Sequence, residues 1–256
     1  MKGDVNIAGL AALLAEPARA RIVSTLADGR ALPASMLASE AHIAASTASE
    51  HLARLTAGGL LLVERHGRHR YYRLAGPEVA QLLEAMASIA PALPVRSLKD
   101  STRASALRAA RTCYDHLAGS LGTTFMRALL DQRLLEGGDG SHVPERARHD
   151  RPAAPGRDLD YRLTPAGEAR LRDFGVHVAE LRGRRRLIRY CVDWSEQRHH
   201  LAGQLGAAVL ARMLELGWLR RAPTPRALLL TDAGRAGLAE TFEIVVPDAG
   251  QDPRYG

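Results

Sequence analysis

The chain holds two cysteines, Cys113 and Cys191, and each opens a run of residues able to do chemistry. The first run is Arg111-Thr112-Cys113-Tyr114-Asp115-His116. The second is Arg189-Tyr190-Cys191-Val192-Asp193-Trp194, with His199-His200 just beyond. Thiol, imidazole and carboxylate are donors for zinc or haem iron, and two thiols can also cycle as a redox pair. The three-residue step from Cys113 to His116 puts both on one face of a helix, and the same geometry pairs Arg111 with Asp115 and Arg189 with Asp193 at four residues. If the two runs are related by a two-fold, Cys113, His116, Cys191 and either His199 or His200 converge. Against a metal stands the absence of any C-x-x-C step. A cysteine also packs like a small buried hydrophobe. The two thiols are therefore read first as structural, with no metal and no cofactor assigned. An effector or sensor site is the second reading, built from Cys113, Tyr114, Asp115, His116, Cys191, Asp193, Trp194, His199 and His200.

The elements that must position these residues come in duplicate. Arg111, Cys113 and Asp115 recur 78 residues later, and His116-Leu117-Ala118-Gly119-x-Leu121-Gly122 recurs 84 residues later as His200 to Gly206. Leu163-Thr164-Pro165-Ala166-Gly167 is echoed by Leu230-Thr231-Asp232-Ala233-Gly234. Such self-similarity has to be settled before any fold is named. Each copy reads as helix, glycine turn, helix, wing, helix, so residues 101–180 and 181–256 are expected to be two degenerate winged-helix-like repeats. The would-be reading helix of the second copy, Ala207 to Leu214, is apolar on nearly every face, which points to burial rather than to a DNA groove. Residues 137–158 lengthen the first copy, and their Gly/Pro/charge-rich composition predicts a mobile loop without core contacts. The basic run Arg182 to Arg189 fits either a phosphate contact or a solvated helix end.

Residues 1–90 have a different pattern. Apolar spacing predicts helices up to Leu14, from Ala18 to Ala27, from Pro33 to Glu40 and from Ala45 to Ala57, the last closed by Gly58-Gly59. Leu60 to Arg65 and His69 to Leu74 flank a glycine-bearing turn and predict a hairpin. Helix, turn, helix and basic hairpin make a winged helix-turn-helix, whose second helix enters the major groove. Ser46, Thr47 and Ser49 supply short hydroxyls at the start of that helix, with His51 and Arg54 on the following turns. Arg65, His66, Arg68, His69 and Arg70 decorate the wing. Residues 91–100, around Pro91-Ala92-Leu93-Pro94, form a stiff linker.

The run from Ser46 to Leu60 with Gly67-Arg68-His69-Arg70-Tyr71-Tyr72-Arg73-Leu74 resembles the ArsR/SmtB family of bacterial transcriptional regulators. The resemblance covers residues 5 to about 90, a third of the chain. It implies a dimeric DNA-binding repressor that releases DNA on sensing a signal. Metal sensors of that family carry a Cys-x-Cys pair near the recognition helix or an Asp/His set on the last dimerisation helix. Here Pro33 to Glu40 has no cysteine, and Pro77 to Ala90 has Glu78 and Glu84 but neither histidine nor cysteine.

Composition bounds the rest. The 256 residues carry a net charge of +7, of which residues 1–90 contribute only +1. An excess of arginine suits a polyanionic partner. No apolar run reaches the roughly 18 residues of a membrane span, and two cysteines make no disulfide framework, so the cytoplasm is expected. No phosphate-cradling glycine loop, G-x-S-x-G or H-E-x-x-H appears, so no catalytic residue is assigned. The sequence thus reads as mainly α with small β-hairpin wings: an N-terminal winged helix-turn-helix followed by the two repeats. Its expected function is sequence-specific regulation of transcription by a homodimer on double-stranded DNA, with the repeats serving a small-molecule effector or dimerisation. The alternatives are an enzyme or a redox or metal sensor using the C-terminal Cys/Asp/His groups, and a non-specific nucleoid-type protein.

Overall fold

The protein, as a computed structural model, is described over residues 4–67, 69–91, 98–183 and 185–246, and divides into two compact units, Met1–Leu83 and Glu84–Gly256.

In the first unit α1 (Ile7–Leu14) starts at Asn6, whose side chain accepts from the Gly9 amide. Helix α2 (Pro17–Thr25) opens with proline at its first turn and is capped by Glu16. It buries Ile22 and Val23 completely. A short 3-10 turn leads to β1 (Leu32–Pro33), then α3 (Ala34–Ala41) and α4 (Ala45–Ala57). Helix α4 buries Ala48, Leu52 and Leu55, one stripe at the helical repeat, and leaves its other faces to solvent. Strands β2 (Leu61–His66) and β3 (His69–Leu74) form the hairpin, with β1 added on the far side of β3. Leu61, Tyr72 and Leu74 hold its register by facing the core. Helix α5 (Pro77–Ile89) follows, and the boundary between the units falls within it. The winged helix-turn-helix expected from the sequence is present.

After the last turns of α5 the second unit continues with α6 (Leu98–Ala109), then β4 (Arg111–Cys113), β5 (His116–Ala118), α7 (Gly119–Asp131), β6 (Leu135–Glu136), β7 (Arg162–Leu163) and α8 (Pro165–Asp173). The second copy repeats this with β8 (Arg189–Val192), β9 (His199–Ala202), α9 (Gly203–Glu215), β10 (Leu219–Arg221), β11 (Leu228–Leu230) and α10 (Asp232–Phe242). Each copy is therefore hairpin, helix, wing, helix. The recurring L-T-x-A-G phrase is a helix start: Thr164 and Thr231 accept from the amides of Gly167 and Gly234. Their hydroxyls donate to Arg133 O and Gly217 O at 2.8 and 2.7 Å. Both copies share one core, in which Leu121, Phe125, Met126 and Leu129 of α7 join Leu205, Val209, Leu210 and Met213 of α9. The packing is reciprocal, since α7 lies on β9 and α9 on β5.

Two expectations are corrected here. The shared L-A-G-x-L-G is not a helix followed by a glycine turn but the end of a strand followed by a helix start. Gly119 and Gly203 sit at φ +78° and +81°, where a Cβ would meet the Arg108 and Leu187 carbonyls at 2.6 and 2.8 Å, so only glycine joins strand to helix there. Residues 137–158, expected as a mobile loop, instead bury Asp150 and Ala153 and line the free edge of β8. Gly156 N donates to Tyr190 O, Ala153 N donates to Val192 O, and Val192 N donates to Ala154 O. In the other copy the wing pairs with β4 in the same way, through Thr112 N to Arg226 O and Leu228 N to Ala110 O. The polar composition is that of a segment satisfied by hydrogen bonds rather than by apolar burial.

Candidate functional site

On α4 the residues Ser46, Thr47, Ser49 and Arg54 are all exposed, along the face opposite Leu52 and Leu55. The Ser49 hydroxyl donates back to Ala45 O at 2.9 Å and keeps its lone pairs outward. His51 does not share this face. Its ring is half-buried, with Nε2 3.5 Å from the Glu16 carboxylate at the start of α2, so the helix-helix contact takes it away from solvent. On the hairpin, Arg65, His69 and Arg70 are exposed, and Arg65 stands directly across from Arg70. Arg68 and the side chain of His66 lie outside the described residues. Short donors on a helix and cations on an adjoining hairpin are the chemistry that reads base edges and holds phosphate.

In the second unit the expected helical face of Cys113 and His116 is replaced by a hairpin. The turn is made at Tyr114, φ +59°, and Cys113 stands directly opposite His116. In hairpin β8–β9 Cys191 stands directly opposite His200. Strands of three and four residues buried on both faces show no alternation, which is why the sequence misled. The reciprocal packing then brings the two hairpins together. Cys113, His116, Cys191 and His200 each offer a ligand atom, and all four atoms lie within 4.8 Å of one another. The imidazoles of His116 and His200 stack with centroids 5.2 Å apart.

The surroundings of the four residues repeat as well. His116 Nδ1 lies 3.3 Å from Asp115, and His200 Nδ1 lies 3.5 Å from Asp193. Nε2 of each ring is buried without a hydrogen-bond partner. The neighbouring Cys191 thiol and then burial push the Cys113 thiol well up. Burial disfavours the His116 imidazolium. The neighbouring Cys113 and the Asp115 carboxylate favour it and outweigh burial, for a net rise. Burial takes His200 down to about 3 despite Asp193.

The expected pairs Arg111–Asp115 and Arg189–Asp193 do not form, because Arg111 and Arg189 lie on strands and the four-residue pairing belongs to a helix turn. Arg111 instead reaches across copies to Asp193, bonding both carboxylate oxygens at 2.9 Å. Asp193 also accepts from the Gly119 amide at the start of α7 and from Ser195. Burial works against the Asp193 carboxylate, but Arg111 outweighs it and holds the group well below the usual carboxylate range. Asp115 bonds Arg185 at 2.6 Å, a partner in the basic run that the sequence did not single out. Trp194 covers the Arg111 guanidinium 4.6 Å from its ring centre. A surface groove of about 500 Å³ runs along α9 past Leu181, Gln204 and Ala208, and neither Tyr114 nor Trp194 lines it.

His199 faces the other way from His200, as neighbours on a strand must. Its Nδ1 is 2.8 Å from the Tyr161 hydroxyl, and burial takes it down to about 4. His142, Asp150 and His199 also bring ligand atoms within 4.8 Å. Asp150, however, is already bonded by the Arg157 and Asp158 amides and by the Tyr190 hydroxyl, so this group is a hydrogen-bonded hub. Sequence reasoning missed Asp150, Tyr161 and Tyr190, whose spacing carries no motif.

A family model described as a helix-turn-helix domain matches residues 14–64. An uncharacterized HTH-type transcriptional regulator of Bacillus subtilis (strain 168), YdfF, is 39% identical over 242 residues, spanning 94% of this chain and 99% of that protein. The chain belongs to the HTH-type transcriptional regulators. Solved regulators align with its N-terminal third. HlyU from Vibrio cholerae is 28% identical over 31% of this chain and 85% of that one, with a TM-score of 0.29. The cadmium metal-sensor CMTR from Mycobacterium tuberculosis is 32% identical over 36% of this chain and 94% of that one, with a TM-score of 0.30. The likeness to the HTH-type regulator YdfF, by contrast, runs through the C-terminal unit as well.

Proposed function

We propose that this HTH-type regulator is a sequence-specific, homodimeric repressor in the cytoplasm. In this reading α4 lies in the major groove of double-stranded DNA. Ser46, Thr47, Ser49 and Arg54 face base edges and phosphates, while Arg65, His66, Arg68 and Arg70 of the wing lie along the backbone. His51 orients α4 against α2 through Glu16 rather than touching DNA. The C-terminal repeats serve effector sensing or dimerisation, and no catalytic role is assigned to them. The observation that carries the reading is the exposed hydroxyl-and-arginine face of α4 beside a cationic hairpin. Total charge does not carry it, because residues 1–90 are nearly neutral and placement must do the work.

A mobility-shift titration of Arg54→Ala against the wild-type chain on DNA from upstream of its own coding sequence tests this docking. A base-edge contact is worth about 1–3 kcal/mol, so binding should weaken by about 5- to 150-fold with relaxed sequence preference. Unchanged affinity in Arg54→Ala and in Arg65→Ala together would remove α4 and the wing from the interface.

A further inference from the structure

We propose that Cys113, His116, Cys191 and His200 bind one divalent metal ion of borderline softness, of the zinc class, which ties hairpin β4–β5 to hairpin β8–β9. The proposal does not rest on DNA reading; the two can fail separately.

Three observations carry it. First, the donor set is two thiols and two imidazoles, all four atoms within 4.8 Å of one another. A tetrahedral ion with bonds of about 2.0–2.3 Å places its ligands roughly 3.3–3.8 Å apart, so closure needs only side-chain rotation. Second, Nε2 of both His116 and His200 is buried and unbonded, which leaves a donor atom on each ring for an ion. As mere packing residues these rings would each leave a buried polar atom unsatisfied, at about 1–3 kcal/mol apiece. A Cys113–Cys191 disulfide would not help, since it gives the imidazoles no partner. Third, each ring has a carboxylate of its own hairpin beside its other nitrogen: Asp115 is hydrogen-bonded to His116 Nδ1 at 3.3 Å, and Asp193 lies 3.5 Å from His200 Nδ1 without a formed hydrogen bond. A carboxylate behind a histidine is the usual support of a metal-binding imidazole, because it fixes the ring and leaves Nε2 as donor.

The geometry also assigns the kind of site. Four protein ligands complete a tetrahedron and leave no position for water or substrate, so the ion is structural in character and not a Lewis acid for catalysis. Ligands arrive in pairs from the two copies, with two residues between them in the turn of one hairpin and eight in the other. This is why no zinc-like spacing shows in the sequence. Thiolate and imidazole donors favour zinc or cobalt over magnesium or calcium, which take oxygen ligands.

The test uses the full chain, purified under reducing conditions, stripped with a chelator and titrated with Co²⁺ and then Zn²⁺. One equivalent of Co²⁺ should give the intense thiolate charge-transfer and visible bands of tetrahedral cobalt, and Zn²⁺ should bleach them. Zinc should raise the melting temperature of the stripped chain. Cys113→Ser/Cys191→Ser should lose the cobalt spectrum. Asp115→Asn, which keeps all four ligands, should bind zinc about 10- to 100-fold more weakly with the tetrahedral spectrum intact. A weak octahedral spectrum, no uptake by the wild-type chain, or a Cys113–Cys191 disulfide recovered from reducing preparations would overturn the proposal.

Discussion

Arg111 and Asp193, 82 residues apart in the chain, form a bidentate ion pair with both side chains buried. The pair joins the two repeats and places a carboxylate at the start of α7, where it accepts from Gly119. Burying two charges is compensated only while each has its partner. Arg111→Ala should therefore destabilise the C-terminal unit by about 3–5 kcal/mol in urea unfolding, by stranding Asp193. The double change Arg111→Met/Asp193→Leu should cost less than either single change. A single-site loss under 1 kcal/mol would mean that water reaches the pair.

The segment 137–158 depends on one hydroxyl. Tyr190 donates to Asp150 at 2.7 Å and accepts from the Asp158 and Leu159 amides at 3.0 and 2.9 Å. Tyr190→Phe keeps the ring against Tyr161 but leaves three buried or half-buried groups short of a partner. The expected cost is about 1–3 kcal/mol, seen as faster amide exchange at residues 150–159 with α7 and α9 unchanged.

The same segment should respond to acid. The Asp158 carboxylate accepts from the amides of His149, Asp150 and Arg148, and these bonds, His149 first, hold it well below the usual carboxylate range. A group depressed on folding adds stability that is complete above its unfolded value, about 3.9. That stability is lost as pH falls from there through the folded value. Limited proteolysis should find cleavage within 137–158 increasing below about pH 4. Asp158→Asn should show increased cleavage already at neutral pH, with a flatter acid response.

Arg65 and Arg70 oppose each other across the wing. Like charges directly opposite are mildly destabilising, so nothing within the hairpin favours keeping both. Arg70→Ala should leave thermal stability within about 0.5 kcal/mol of the wild type. It should also reduce the salt dependence of DNA binding by about one in the log-log slope. A slope equal to that of the wild type would place Arg70 away from phosphate.

The first unit was legible because its helices carry one buried stripe each, as Ala48, Leu52 and Leu55 show in α4, and its hairpin alternates about Tyr72 and Leu74. The duplication was legible too, from Thr164 and Thr231 as much as from the cysteines. What was hidden was strand geometry in Arg111–Ala118 and its counterpart, where three- and four-residue strands are buried on both faces and show no alternation. From that one misreading followed the wrong partners for Arg111 and Asp193. Convergence of the four Cys and His residues had been conceivable from sequence, but the choice of His200 over His199 required knowing which way each faces on β9.

The central claim is that α4 and the wing read a particular DNA sequence. The most direct measurement is fluorescence anisotropy of the full chain on labelled upstream DNA, competed with unlabelled unrelated DNA at physiological salt. Specific readout should give binding at least about 10³-fold tighter than to the competitor. Equal affinity for both DNAs, with a steep fall as salt rises, would contradict it.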